Sequence, residues 1–248
     1  MNLLRVLWYA KWIVPALVQV LILLIMIRRR LFRDFPLFLS YTAFEVVYFA
    51  CRFPFFFKED AYAKFFYISW VGKAIEMALG FAVIYEIFRH VFRPYPALAQ
   101  LGKVLFRWGL VVLVFVVTLA TASAPENGIV QGLVVLERGL SIIQCGLLFL
   151  LFLFSSYFGL TWRHYVYGIG VGFGFFGTIL LATAALHAQL GPSFDDFSNL
   201  IEPLAYNCSV LIWISYLLRP EPVQRSINFK PTDGLQEWNH ELLRLLNQ

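Results

Sequence analysis

The chain has 248 residues, of which 60% are hydrophobic, 18% aromatic and only 14% charged. That balance lies outside the range of soluble globular domains and inside that of helical membrane proteins. The formal net charge of +5 is modest and sits between the apolar runs, where it reports membrane orientation and anionic lipid contact rather than nucleic-acid binding.

A bilayer core about 30 Å thick needs about 20 apolar residues per helix, and on that ruler seven spans are expected. The first covers 7–27, with Trp8, Tyr9 and Trp12 as an interfacial aromatic belt. It is too long for a secretory signal and ends on Arg28, Arg29 and Arg30 rather than at a small-residue cleavage site. The second runs from Pro36 to about Phe57 and carries Glu45 and Arg52, seven apart and so on one face.

The third span, 65–92, organises the rest. It holds Lys73 and Glu76 at a spacing of i, i+3, which puts both on one helical face. A charge at the centre of a bilayer costs roughly 2.5–3.5 kcal/mol on insertion scales, so such residues face one another or a polar cavity. Glu86, further along, reads as an interfacial partner of Arg89 with no function.

Span four is expected at about 105–123, followed by a turn at Ala124, Pro125, Glu126, Asn127 and Gly128. Span five, about 129–156, carries Glu137 and Arg138. Neighbours on a helix point about 100° apart, so the two cannot serve one partner, which argues for a network. Span six, about 165–189, is rich in glycine; Gly170 and Gly174 predict close helix approach. His187 falls near its end, and Gly191-Pro192 breaks the chain. Span seven, about 199–218, carries Glu202 and ends on Arg219-Pro220.

Thirteen of the 20 Lys and Arg residues then fall on one side, among them Arg28, Arg29, Arg30, Arg33, Arg93, Lys103 and Arg219, against four on the other. The positive-inside rule puts that basic side in the cytoplasm. The expected fold class is therefore an all-α membrane protein of the cell membrane. Residues 1–219 form a multi-pass, seven-transmembrane-helix bundle, with the N-terminus out and the C-terminus in. Residues 220–248 form a cytoplasmic tail with a short amphipathic helix at about 234–246, capped by Asp233 with Gln236 at N3. Its apolar face, Leu235, Trp238, Leu242, Leu245 and Leu246, suits the membrane surface or a protein partner.

Spans 1–3 and 5–7 run in the same sense, so a parallel repeat of three helices with span four as connector is conceivable. The sequence support is a few matches at an offset of 126, such as Glu76 with Glu202 and Tyr41 with Tyr167.

The candidate ligand-binding or charge-network residues are Glu45, Arg52, Lys73, Glu76, Glu137, Arg138, His187 and Glu202. Glu76 is expected to contact a cation from span two or five, with Glu137 and Glu202 as further acceptors around one outer cavity. The alternative is an ion network that only fixes helix register. The four histidines have no metal-ligand spacing, so neither a metal nor another cofactor is expected. No nucleophile elbow, phosphate loop or HExxH motif argues for an enzyme. Serines and threonines in the spans are expected to bond backbone carbonyls. Cys51, Cys145 and Cys208 are expected as buried small hydrophobes without a disulfide.

Receptor-like and sugar-exporter-like proteins share this topology, a likeness of topology alone. The first functional expectation is a receptor or sensor-like module binding a small polar ligand from outside. A proton-coupled or small-molecule transporter and a structural accessory subunit are the alternatives. The bilayer is the expected environment, and no nucleic-acid partner is expected.

Overall fold

A computed structural model describes residues 3–56, 62–93, 96–122, 128–157 and 164–219, and all regular structure among them is helical. Seven α-helices follow one another: α1 (Leu3–Arg28), α2 (Pro36–Phe56), α3 (Tyr62–Val91), α4 (Pro96–Ala122), α5 (Gly128–Tyr157), α6 (His164–Leu190) and α7 (Asp195–Leu218). Three of them contain stretches long and apolar enough to cross a membrane: Val135–Ser156, Tyr165–Leu190 and Phe197–Leu218. The tail helix expected at 234–246 and the turn at 124–127 lie outside the described residues.

The helix ends follow local chemistry. Pro36 and Pro96 are the first residues of α2 and α4, where a missing N–H costs nothing and the fixed φ suits the helix. α6 stops at Gly191, whose φ of 63° is the left-handed conformation that closes a helix. α4 begins well before the expected position 105, because an apolar ruler does not count the polar first turns of a helix.

Around the bundle the helices contact one another in the order α1, α2, α3, α5, α6, α7, and α7 closes onto α1. Among the described residues α4 touches only α3 and α5 and so stands outside this ring. The two triplets, α1–α3 and α5–α7, therefore occupy the ring in the same sequence.

Among the described residues, the buried side chains of the main cluster lie in the half nearest Arg28–Arg30, called here the basic end. At its centre Phe38 and Tyr41 of α2 meet Phe173 of α6 and Trp213 of α7, with ring centroids 4.9–6.4 Å apart and mostly edge-to-face. The Trp213 indole N–H donates to the Ile169 carbonyl at 3.2 Å.

Close approach of α6 and α7 depends on Gly172 and Gly168. A methyl group at the first would collide with Trp213, and at the second with Tyr216. The close approach expected of i, i+4 pairs such as Gly170/Gly174 is thus made two residues earlier, by Gly168 and Gly172. Gly174, like Gly177, faces α5, with Leu148 and Phe152 opposite the former and Cys145 opposite the latter.

Two side chains clamp the basic end. Glu86, buried on α3, accepts the Leu37 and Phe38 backbone N–H groups at 3.0 Å each. These are orphan donors of the first turn of α2, so Glu86 caps a neighbouring helix rather than pairing idly at the interface. Arg29, just past α1, donates to the Leu218 and Arg219 carbonyls at 2.9 and 3.2 Å and to the Tyr165 hydroxyl at 3.1 Å. A cation there meets the negative end of the α7 dipole.

In the opposite half Pro15, Pro54 and Pro203 lie inside α1, α2 and α7, and each removes a helical hydrogen bond. All three cysteines are free thiols. Burial, however, was expected for each, whereas Cys51 and Cys208 are exposed and Cys145 is half-buried. An apolar surroundings can be supplied by lipid as well as by protein, so a cysteine in an apolar run need not point inward.

Candidate functional site

The opposite half holds the Lys73 charge group. Lys73 on α3 reaches across to α5, with Nζ 3.0 Å from Glu137 Oε1. Its neighbour one turn on, Glu76, is 3.9 Å away. The side chains of Lys73, Glu76 and Glu137 are 30%, 16% and 29% exposed, so the group is partly enclosed but not sealed. Beneath it Met77 and Leu140 form a small apolar seat with Phe81, Leu136 and Ile143. The inter-helix contact expected of Glu76 with Arg52 or Arg138 is made by Lys73 with Glu137 instead. The physical reason is reach: a four-carbon stem takes the ammonium past its own helix to α5.

A cavity of about 190 Å³ opens between α5, α6 and α7 beside this pair. Its polar lining is Glu137, Arg138, Ser141, Thr183, His187, Ser198 and Glu202. The Thr183 hydroxyl lies 3.2 Å from Glu202 Oε1 and 2.9 Å from the Leu180 carbonyl, which fixes the carboxylate against α6. A cavity of about 150 Å³ admits a ligand the size of benzene, so this one fits a solute of similar or slightly larger bulk.

Of the eight candidate residues, Glu137, Arg138, His187 and Glu202 border the cavity. Lys73 and Glu76 join it through Glu137. Arg52 lies apart, with its Nη1 3.2 Å from the Tyr48 hydroxyl and its guanidinium over the Tyr48 and Phe65 rings at 5.2 and 5.5 Å. Tyr48 in turn donates to the Ser69 carbonyl at 2.8 Å and so ties α2 to α3. Glu45 lies deeper, beside Glu76, Lys73 and Tyr206.

The candidate residues did not include a neutral polar set. Gln19 Nε2 on α1 donates to the Tyr206 hydroxyl on α7 at 2.6 Å, and Tyr41 and Glu45 stand next to Tyr206. The usable signal was a glutamine within an otherwise apolar run, since an amide needs partners in hydrocarbon as a charge does. Thr118, Ser141, Thr178 and Ser209 return their hydroxyls to the carbonyl four residues earlier, as expected. Ser69 departs from this: its hydroxyl oxygen is enclosed without a partner.

Among the described residues no group of three or more His, Cys, Asp and Glu side chains could hold a metal ion. No family model, curated protein or solved structure matches the chain.

Proposed function

We propose that all seven helices cross the cell membrane, with the N-terminus outside and the C-terminal tail in the cytoplasm, and that the bundle is a receptor-like sensor. Its ligand is a small polar solute that carries both charges and enters the cavity between α5, α6 and α7 from outside. The observation that carries this reading is the composition of the cavity wall. Lys73 neutralises Glu137 at 3.0 Å, which leaves the Arg138 guanidinium and the Glu202 carboxylate on different helices around one small space. An anionic group on Arg138 and a cationic group on Glu202 satisfy both, and guanidinium favours bidentate recognition of a carboxylate. The aromatic cluster of Phe38, Tyr41, Phe173 and Trp213 packs the basic half, which favours a pocket reached from the opposite side.

The test is a thermal-shift titration of purified protein with free amino acids, betaines and small dicarboxylates. At least one zwitterion should raise the unfolding temperature in a saturable way, and Arg138→Gln and Glu202→Gln should each weaken its binding tenfold or more. No response to any zwitterion, or an equal response from both variants, would remove the cavity as a binding site. Transport is the second reading, favoured by the identical ring order of α1–α3 and α5–α7, which alternating-access carriers built from two repeats exploit. Uptake of the same solute into proteoliposomes assigns transport, and binding without uptake assigns sensing.

A further inference from the structure

Glu45 stands in a cluster that the cavity does not include. On its own helix Tyr41 lies one turn before it and Arg52 two turns after, while α3 presents Lys73 and Glu76, and α7 presents Tyr206. From α1, Gln19 is 1% exposed and donates its amide to the Tyr206 hydroxyl. At 1.5 Å of rise per residue, Glu45 is about 14 Å from the start of α2, close to the middle of that helix.

Two enclosed oxygens here have no donor: Oε1 of Glu45 and Oε1 of Gln19. Turning the Gln19 amide over does not cure this, because Oε1 would then meet Tyr206 and Nε2 would be left over. Tyr206 bonds the Glu45 carboxyl, but Oε1 of Glu45 stays without a donor in either orientation of the amide, and buried acceptors without donors are costly.

Charge is out of balance in the same sense. Glu45, Glu76 and Glu137 are three carboxylates served by Lys73 and Arg52. Lys73 is committed to Glu137 and Glu76, and Arg52, whose charge also reaches Glu45, bonds the Tyr48 hydroxyl and lies over the Phe65 ring. An ionised Glu45 would be a third carboxylate competing for one ammonium, and an uncompensated charge away from water neutralises itself where it can. A proton on Glu45 removes the excess charge and turns its orphaned acceptor into a donor.

We propose that Glu45 is a reversible proton-binding site, held as a neutral carboxylic acid among Gln19, Tyr41 and Tyr206 in the middle of the bundle. Releasing that proton adds a competitor for Lys73 and draws the ammonium inward, away from Glu137. The Glu45 proton thereby governs the charge on the wall of the cavity. The protonation itself holds whether or not the cavity takes a zwitterion.

Infrared difference spectra of the full chain in lipid nanodiscs, recorded between acid and alkaline buffer with no added solute, test it. A protonated-carboxyl stretch is expected, moving on exchange into heavy water, absent in Glu45→Gln and shifted in frequency in Tyr206→Phe. Absence of the band, or a band unchanged in both variants, overturns the proposal. Should Glu45→Gln not fold, Tyr206→Phe decides alone, and an unshifted band sinks the idea. Glu202→Gln separates the two readings: it abolishes the thermal response to solute and leaves the band in place.

Discussion

Lys73 is the residue on which the charged half turns, because it is the cation that joins α3 to α5. Periodicity showed that Lys73 and Glu76 share a face, and bilayer energetics showed that they need partners. Neither could show that the ammonium would pass Glu76 at 3.9 Å and settle on Glu137 at 3.0 Å. Pairing across helices depends on side-chain reach and on which neighbour the helix is packed against, and a one-dimensional pattern carries neither. Arg52 teaches the same point: its position was legible, but its engagement with Tyr48 and Phe65 required knowing that α2 lies against α3. Breaking one half of a fully buried pair costs about 3–5 kcal/mol; side chains about a third exposed should lose less, roughly 1–3 kcal/mol. Lys73→Met should therefore destabilise the protein by about that amount. Combining it with Glu137→Gln should recover part of the loss, giving a coupling near 1 kcal/mol in a double-mutant cycle. Additive losses would mean that the pair is a coincidence of reach with no energetic weight.

At the scale of elements, the helices themselves were the most legible part, since long apolar runs bounded by proline, glycine and arginine leave few alternatives. What holds their ends together was not legible. Glu86 sits ten residues beyond Glu76 in the same helix and looked like one more interfacial acid. Its role appears only when the first turn of α2 is brought to it, with Leu37 and Phe38 as donors. Capping is normally sought within a few residues of the helix start, and here the cap comes from residue 86, nearly fifty positions downstream. A hydrogen bond to a charged group is worth about 1.5–3 kcal/mol, and Glu86 is only 6% exposed. Glu86→Ala should cost roughly 2–4 kcal/mol in unfolding from mixed micelles, and Glu86→Gln less, because one acceptor oxygen survives. Amide exchange at Leu37 and Phe38 should accelerate in both. Unchanged protection at those two amides would show that the α2 N-terminus is held by packing alone.

For the molecule as a whole, the division of labour is spatial. The basic half is packed with aromatic and aliphatic side chains and clamped by Glu86 and Arg29, while the opposite half holds the Lys73–Glu137 pair, the cavity and helices interrupted by proline. This polarity gives the proposed orientation a mechanical meaning, because it would set the packed aromatic cluster on the cytoplasmic side of the cavity. The distribution of basic residues gives it an electrostatic one, thirteen Lys and Arg against four, with the excess facing the anionic leaflet. The two arguments are independent, since the buried aromatic core contains none of those basic residues. A single cysteine placed at Ser193, in the connection between α6 and α7, should accordingly react with an impermeant maleimide added to intact cells. One placed at Ser226, in the tail, should react only after the membrane is opened. The three native thiols must first be replaced by alanine or serine in both variants, as Cys51 and Cys208 are exposed. Labelling of Ser226→Cys in intact cells would invert the bundle and turn the charged cavity toward the cytoplasm. The pocket would then draw on cytoplasmic solutes, and the external-ligand reading would fall although every distance within the site stayed the same.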